Sequence, residues 1–568
     1  MRHRLINGEN KRLENWHQVN WRKAIKVVKN LRYRIFRARN LGNWRSLRRL
    51  QKLMLRSQSN LLLCIRQITQ VNTGKRTAGI DKEVINTPQQ RVKLCLEMAH
   101  TAHIVKPTKR IYIPKSNGKK RPLGIPTVRD RVMQAVFKNL LEPEWETLFS
   151  EHSYGFRPGR CCADAIEQSL VRICASGKSQ QGDVWVLDAD ISSFFDNISH
   201  SHIENSIGNI PGRELIKMWL KSGFMDKGTF NETIQGTPQG GTISPLLANI
   251  GLHGLEEAVR AIPYRRPRKG KPAGRIIPEG MGIIRYADDF IVTAHSKEYI
   301  LEAKKVIETW LKERNLELSA EKTRIVHTED GFDFLGFNLR TYKGKALFKP
   351  AKSKVLAFCK RIGELVKSLN GAKQEQIIYH LNPILRGFAN YYRGGVSKEV
   401  FNYVDHRVWQ YLWRWAKRRH PRKSTKWIKD KYFHQIGTRK WVFAHKSKDR
   451  RNNPIWLKLY GVVSTPIVRH IKVKGKASPD NPDQREYWVN RNKRMGKIRW
   501  SKGSKYYIIA QDQDWTCPIC GEPLLNGENL EIHHIVPVKD GGRDDTHNLI
   551  HLHSICHKQE HSKPKKKS

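Results

Sequence analysis

Positive charge runs along almost the whole of this chain rather than gathering in one tail. The 105 Lys and Arg residues stand against 52 Asp and Glu over 568 positions, a formal charge of +53. A compact body with that excess repels itself unless a polyanion neutralises it, so nucleic acid is the default partner. Hydrophobic residues make up 39% and aromatics 9%, enough to bury real cores and to exclude a disordered chain. A generic basic component of a ribosome is a poor fit at this length and aromatic content. No apolar run approaches the roughly 18 residues that cross a bilayer. The opening MRHRLINGEN lacks the apolar stretch of a signal peptide. The expectation is a soluble, intracellular chain of about three to five domains.

Periodicity divides the chain. Over residues 16–70, Ile25, Val28 and Ile35, then Leu47, Leu50, Leu53 and Met54, recur at helical spacing with Arg and Lys on the other faces. Gly42 is expected to break this stretch into two helices. From about 100 to 350, strand-like runs such as Val184–Leu187 and Gly282–Ile284 alternate with helical stretches, which predicts an α+β core. Residues 265–278 are basic and rich in Gly and Pro, the composition of a loop. Residues 351–420 return to helix, where Trp409, Leu412, Trp413 and Ala416 share a face that suits a core better than a base-stacking platform. Residues 425–500 are basic and aromatic with weak periodicity, and 505–568 form a Cys/His-rich tail. Six of the nine cysteines (Cys64, Cys95, Cys161, Cys162, Cys174 and Cys359) have no ligand spacing and read as small buried hydrophobes.

Nucleotidyl transfer needs carboxylates that converge on two divalent metals. In so basic a chain, acids at the ends of apolar strands are conspicuous. Asp190 follows the run Val184–Leu187, and Asp288 and Asp289 lie between Ile283-Ile284 and Phe290-Ile-Val292, the pattern of a β-hairpin with acids at its turn. Alone, Tyr286-Ala287-Asp288-Asp289 is hardly distinguishable from an ordinary acidic turn. Its neighbours are more specific. IYIPKSNGKKRPLGIPTVRDRVMQ, SYGFRPGR, DADISSFFD, QGTPQGGTISPLLANI, RYADDF, LSAEKT and FLGF follow one another between residues 110 and 340. In this order they resemble the finger and palm blocks of reverse transcriptases.

Within that family, GTPQGGTISPLLANI and the long basic N-terminus resemble bacterial group II intron-encoded proteins, the maturase–reverse transcriptases. LNPILRGFANYYR (381–393) is similar to their thumb, and RHIKVKGKASPDNPDQREYW to the region that binds target DNA. The resemblance implies that Asp190 and Asp288 are the principal Mg²⁺ ligands, with the Ile191 carbonyl completing the cage and Asp289 assisting. It implies that Lys115 and Arg121 grip the triphosphate of the incoming dNTP and that Phe195 excludes a ribose 2′ hydroxyl. Gln239, Gly240 and Gly241 would position base and template, and Lys322 would help protonate the leaving pyrophosphate. Plainer roles stand beside these: solvated loop charges for Lys115 and Arg121, core packing for Phe195, an exposed helix-end position for Lys322.

The tail reads CPIC, then EIHHIVPVKDGGRDDTHNLIHLHSICHKQEH, and resembles an HNH nuclease with a ββα-metal fold. Cys517, Cys520, His553 and Cys556 offer four ligands suited to a structural Zn²⁺, with His551 a weaker rival for the place of His553. The resemblance implies His534 as general base with Asn548 holding its imidazole, and His533, His557 and His561 around one catalytic cation, Mg²⁺ or another divalent ion. A zinc-binding DNA-contact module without cleavage is the plainer alternative.

The expected architecture is α+β and multidomain: an RNA-binding N-terminal extension at 1–100, right-hand-like fingers and palm at 101–350, a helical thumb at 351–425, a DNA-binding region at 426–504 and the nuclease at 505–568. The expected partners are group II intron RNA, target DNA and dNTPs, with the protein a monomer or dimer on the RNA in the bacterial cytoplasm, near the nucleoid. Two rivals are a reverse transcriptase of another lineage and a splicing factor with dead enzymatic sites.

Overall fold

The computed structural model describes residues 13–562, apart from 115–117, 119, 175–181, 266–279, 449–451, 453 and 501. Lys115 and nearly all of the 265–278 loop therefore lie outside the described residues.

Helix comes first, as the spacing predicts, but in three pieces: Trp21–Asn40, Trp44–Arg56 and Gln58–Arg66. Gly42 makes the first break at φ +64°. Ser57 makes the second, its side chain capping the amide of Asn60, and this break the apolar spacing does not reveal. Val28, Ile35, Leu47, Leu50 and Met54 bury against Phe137, Leu140 and Leu141 of the long helix Val128–Trp145. The N-terminal helices are thereby joined to the palm through one core.

The palm sheet is antiparallel, in the order Gly282–Tyr286, Asp289–Ala294, Trp185–Asp190, Arg324–His327. Leu187, Ile283, Phe290 and Val292 enter one core, while Val186, Ile284 and Ile291 enter another with Tyr154 and Ile166. Burial on both faces is why these strands read as continuous apolar runs rather than alternating ones. A second four-stranded sheet, Lys120–Ile125, Thr108–Pro114, Phe224–Asp226, Thr229–Asn231, forms the fingers.

The helices Lys352–Ser368, Gln374–Tyr392 and Lys398–Arg419 follow. Leu412 and Ala416 are fully buried, as expected, but Trp415 is the tryptophan that enters the core. Trp409 and Trp413 stack on each other at 5.8 Å on its margin, against Phe433 and Trp441. The stretch of weak periodicity holds a three-stranded sheet, Phe433–Ile436, Arg439–Lys448, Pro454–Lys458, and the helix Arg485–Arg499.

Between that sheet and helix the chain runs as a strap. The Val468 amide donates to the Arg393 carbonyl (3.0 Å), and His470 and the Val473 amide reach the buried Asp164 at 2.8 and 2.7 Å. The Arg160 guanidinium donates to the Gly475 carbonyl (2.8 Å), and Asp480 receives both Nε and Nη2 of Arg32 at 2.6 Å. Residues 468–480 thus touch thumb, palm and N-terminal helix in turn. The C-terminal module is a two-stranded sheet, Leu530–His534 with Leu549–His553, followed by the helix Ser554–His561. No helix among the described residues is long and apolar enough to cross a membrane.

Candidate functional site

Asp190 ends its strand directly opposite Asp289, and Tyr286 pairs with Asp289 to close a two-residue turn over Ala287 and Asp288. Three carboxylates therefore meet at the end of the palm sheet. On the far side, the Ser319 amide donates to the Asp190 carbonyl (2.8 Å), and the buried Ile191 bridges to Leu318. Burial raises the Asp288 pKa, and the charge of Asp190 adds to it. Partial enclosure, a shared hydrogen bond with Asp190 and the adjacent Asp288 push the Asp289 carboxyl up to about 7. Like charges so arranged disfavour joint ionisation without a cation, and three oxygen donors at one point suit a hard divalent ion. Lys322 reaches this cluster from a turn rather than a helix end, its Nζ 2.5 Å from Asp190 Oδ2.

The turn is held from below by residues that the sequence reading does not single out. Ala287 sits at φ +60°, a conformation that favours Gly. The Arg285 side chain, 1% exposed, donates from Nε to Glu256 Oε1 (2.7 Å) and from Nη1 to Asn249 Oδ1 (3.1 Å) and the Ala287 carbonyl (3.3 Å). Asn249 in turn donates to the Gly155 carbonyl (2.8 Å). A Cβ on Gly155 would lie 2.4 Å from the Ala287 nitrogen, so only glycine lets this loop pass under the turn. Gly155 lies within SYGFRPGR and Arg285 opens RYADDF, but nothing in the local pattern points to Glu256 or to its pairing with Arg285.

The predicted dNTP-side residues gather on the fingers face. Arg121 Nε donates to Gln239 Oε1 (2.9 Å), the Gly124 amide donates to the Gln239 carbonyl (3.0 Å), and the Arg121 charge is felt at Asp288. Gly240 is at φ +134°, where a Cβ would lie 2.6 Å from the Gly124 oxygen, and a Cβ on Gly241 would meet Ser244 Oγ at 2.6 Å. Close backbone approach is the reason Gly240 is glycine, whereas at Gly241 it is the side chains of Ser244 and Gln134 that fill the space a Cβ would take. Phe194 is the buried ring of its pair, whereas Phe195 is half-buried and lines a cavity of about 370 Å³ with Arg110, Tyr112 and Gln239.

In the C-terminal module Cys517, Cys520, His553 and Cys556 are all buried, with their ligand atoms within 4.8 Å of one another. His553 presents Nδ1 to Cys520 Sγ (3.3 Å) while Nε2 faces the Pro523 carbonyl (3.2 Å), the outer hydrogen bond that orients a ligating imidazole. Hydrogen bonds among the thiols lower the pKa of Cys517 and raise that of Cys520, so the cluster shares its protons as a unit. Three thiols and one imidazole form a donor set that suits zinc. His551 is elsewhere: it bonds the Tyr506 carbonyl (2.9 Å) and stacks on Trp500 at 5.1 Å.

His533, His557 and His561 form a second group, ring centroids 4.5 to 5.1 Å apart, beside a cavity of about 490 Å³ that His534 also lines. Burial lowers the pKa of His533 and His557, which keeps them neutral and able to ligate. Glu531, which the sequence reading missed, holds His557 Nδ1 at 2.7 Å. The expected role of Asn548 needs correction. Its amide grips the loop, accepting from the Val536 amide (2.8 Å) and donating to the Val536 and Arg543 carbonyls, while the carboxylate at His534 Nε2 is that of Asp544, 3.1 Å away. The run GGRDD places Asp544 ten residues after His534, the one local signal for this partner.

Comparison with known proteins adds four matches: an N-terminal domain of reverse transcriptase over residues 16–98, a reverse transcriptase (RNA-dependent DNA polymerase) over 113–339, a group II intron maturase-specific domain over 355–433 and an HNH endonuclease over 517–563. Protein YkfC of Escherichia coli is 33% identical over 346 residues, 53% of this chain and 87% of that protein. The group II intron-encoded protein LtrA of Lactococcus lactis is 30% identical over 338 residues, 50% of this chain and 55% of LtrA. An uncharacterized 91 kDa protein in the cob intron of Schizosaccharomyces pombe is 25% identical over 494 residues, 74% of this chain and 59% of its own length. The chain thus spans little more than half of the latter two. Reverse transcriptase and HNH families use divalent metals, and the maturase and polymerase domains imply intron RNA and nucleic acid as partners. With polymerase, maturase and endonuclease domains in one polypeptide, the chain belongs to the group II intron-encoded reverse transcriptase–maturase family, as a multifunctional member carrying an HNH domain.

Proposed function

We propose that the protein carries out target-primed reverse transcription of its own intron RNA. It would bind the RNA, assist folding and splicing, and remain bound while the RNA enters one strand of a DNA target. The HNH module would nick the other strand, and the new 3′ hydroxyl would prime DNA synthesis at the palm. The observation that carries this reading is the meeting of Asp190, Asp288 and Asp289 at one end of the palm sheet, in a chain that also gathers His533, His557 and His561 near its other end.

Asp190, Asp288 and Asp289 would hold Mg²⁺, with the Ile191 carbonyl as a further ligand. Metal bound there supplies a lowered pKa at the primer hydroxyl and offsets charge developing on the triphosphate. Arg121, with Lys115, would grip the dNTP phosphates; Gln239, Gly240 and Gly241 would set base and template; Phe195 would stand against a 2′ hydroxyl. Lys322, already an ion-pair partner of Asp190, would exchange that partner for the leaving pyrophosphate. In the nuclease His534 would take a proton from water, its imidazole oriented by Asp544, while His533, His557 and His561 hold a divalent ion against the scissile phosphate. Cys517, Cys520, His553 and Cys556 would bind Zn²⁺ and stabilise a module too small for a large core. A bacterial cytoplasmic setting near the nucleoid, as monomer or dimer on the RNA, fits these roles.

The test is one preparation with the RNA transcribed from the flanking sequence, assayed for splicing, strand nicking and DNA synthesis. Asp288→Ala with Asp289→Ala is expected to abolish DNA synthesis and spare splicing. His534→Ala is expected to remove the nick alone. Loss of splicing in a folded aspartate variant, or loss of polymerisation in the histidine variant, would overturn the division of labour.

A further inference from the structure

The metal module does not stand free at the end of the chain. It is docked on the N-terminal helices, and the centre of that contact is the thiol cluster itself. Arg66, the last residue of the helix Gln58–Arg66, is 4% exposed. Its Nη2 donates to Cys556 Sγ at 3.7 Å and to Glu528 Oε2 at 3.2 Å, and its guanidinium lies 5.0 Å over the Trp21 ring. Around it, Lys29 Nζ pairs with Glu522 Oε1 at 2.7 Å, and Gln559 Nε2 donates to the carbonyls of His17 (3.0 Å) and Val19 (2.9 Å). Ile25 packs against the apolar core of the module, a cluster that includes Trp515 and Cys517.

A divalent ion held by three thiolates and a neutral imidazole carries net negative charge. Donors aimed at the thiolates disperse that charge, and outer partners of this kind tune metal affinity. His553 already uses the Pro523 carbonyl as its outer partner. For Cys556 the outer partner is supplied 490 residues away in sequence. A guanidinium buried at that position needs anions: Glu528 is one, and the metal thiolates are the other.

We propose that Arg66 completes the outer shell of the Cys517/Cys520/His553/Cys556 site, so that zinc loading and docking of the nuclease on the N-terminal helices form one coupled equilibrium. The inference rests on the reading of that cluster as a zinc site. Its consequence is positional: a metal-loaded nuclease is held in fixed register with the helices expected to grip RNA, and a metal-free one is released. Arg66 acts through Cys556 and touches no reacting group, so it is a positioning residue.

The test uses the full-length chain and zinc alone. Zinc content is measured by atomic emission, and zinc affinity by competition with a chromogenic chelator, in the wild type, Arg66→Met, Arg66→Lys and the peripheral control Lys29→Ala. Arg66→Met is expected to weaken zinc about 10- to 100-fold, with partial recovery in Arg66→Lys and little change in Lys29→Ala. As a measurement independent of any variant, hydrogen exchange of the wild type is compared before and after chelation. Exchange is expected to rise in residues 16–25 and 58–66 and to stay unchanged in the palm hairpin. A zinc-bearing wild type whose Arg66→Met variant keeps its affinity, or whose helix 58–66 stays equally protected after zinc removal, overturns the coupling alone. A wild type that holds no zinc, even after reconstitution, overturns the zinc reading and the coupling with it.

Discussion

At the scale of single residues, the chemistry depends on groups that were legible and is held in place by groups that were not. Asp190, Asp288 and Asp289 stand out because carboxylates are unexpected at strand ends in a basic chain. Gly155 does not, yet a Cβ there would lie 2.4 Å from the Ala287 nitrogen. Gly155→Ala is therefore expected to shift the turn and lower primer extension by roughly 100-fold, since misplacing a catalytic group by about 1 Å costs on that order. Nicking by the same preparation should persist, and equal loss of both activities would point to unfolding instead. In the nuclease, Asp544→Asn removes the charge facing His534 while keeping its size. Nicking should fall by about 10²-fold, the lower end of what general-base chemistry supplies, and zinc content measured alongside should not change.

At the scale of elements, buried charge pairs join pieces that apolar spacing treats separately. Arg285 and Glu256 are each 1% exposed and 2.7 Å apart. Breaking the pair with Glu256→Leu leaves an uncompensated guanidinium and is expected to cost about 3–5 kcal/mol, read from urea unfolding. Adding Arg285→Met should recover part of that loss. The strap depends on Asp164 in the same way. Burial works to raise the Asp164 pKa, but hydrogen bonding and charge from His470, the Val473 amide and Arg491 outweigh it, so the pKa is lowered. A carboxyl depressed in the folded state stabilises above its unfolded pKa and loses that contribution as pH falls through the folded value. The strap should accordingly hold at neutral pH and loosen only in acid, below the ordinary aspartate range. Protease cleavage between 465 and 485 followed against pH checks this, and Asp164→Asn should flatten the acid-side dependence.

At the scale of the molecule, charge dominates. A +53 chain that binds intron RNA is expected to make many phosphate contacts. With about 6–10 of them, affinity is expected to fall by roughly 10³ to 10⁵ between 50 and 200 mM salt. Filter binding of the intron RNA across that range measures the slope, and a shallow dependence would contradict backbone-dominated binding. The described residues also show how separate chemistries share one body. The strap touches thumb, palm and the helix Trp21–Asn40, and the nuclease docks on that same helix through Lys29. Residues 426–504, expected as one DNA-binding region, comprise a sheet packed on the thumb, this returning strap and the helix Arg485–Arg499.

Much of the protein is legible in local sequence pattern. Apolar runs with acids at their ends, CxxC and HxxC spacing, and the helical repeat of the N-terminus are local patterns, and local patterns reflect backbone period and ligand chemistry directly. The break at Ser57 was missed because a capping serine costs the apolar repeat nothing. Trp409 and Trp413 share the predicted apolar face but pack on the margin of the core, while Trp415 is buried in it, because neighbouring faces of one aromatic-rich helix look alike until a partner covers one of them. The contacts that organise the whole lie beyond local pattern. Arg66 with Cys556, Asp164 with His470, and Arg32 with Asp480 join positions 490, 306 and 448 residues apart. Which arginine of so many is buried, and against which acid, is set by packing, because a charge leaves water only where the fold brings it a counter-charge.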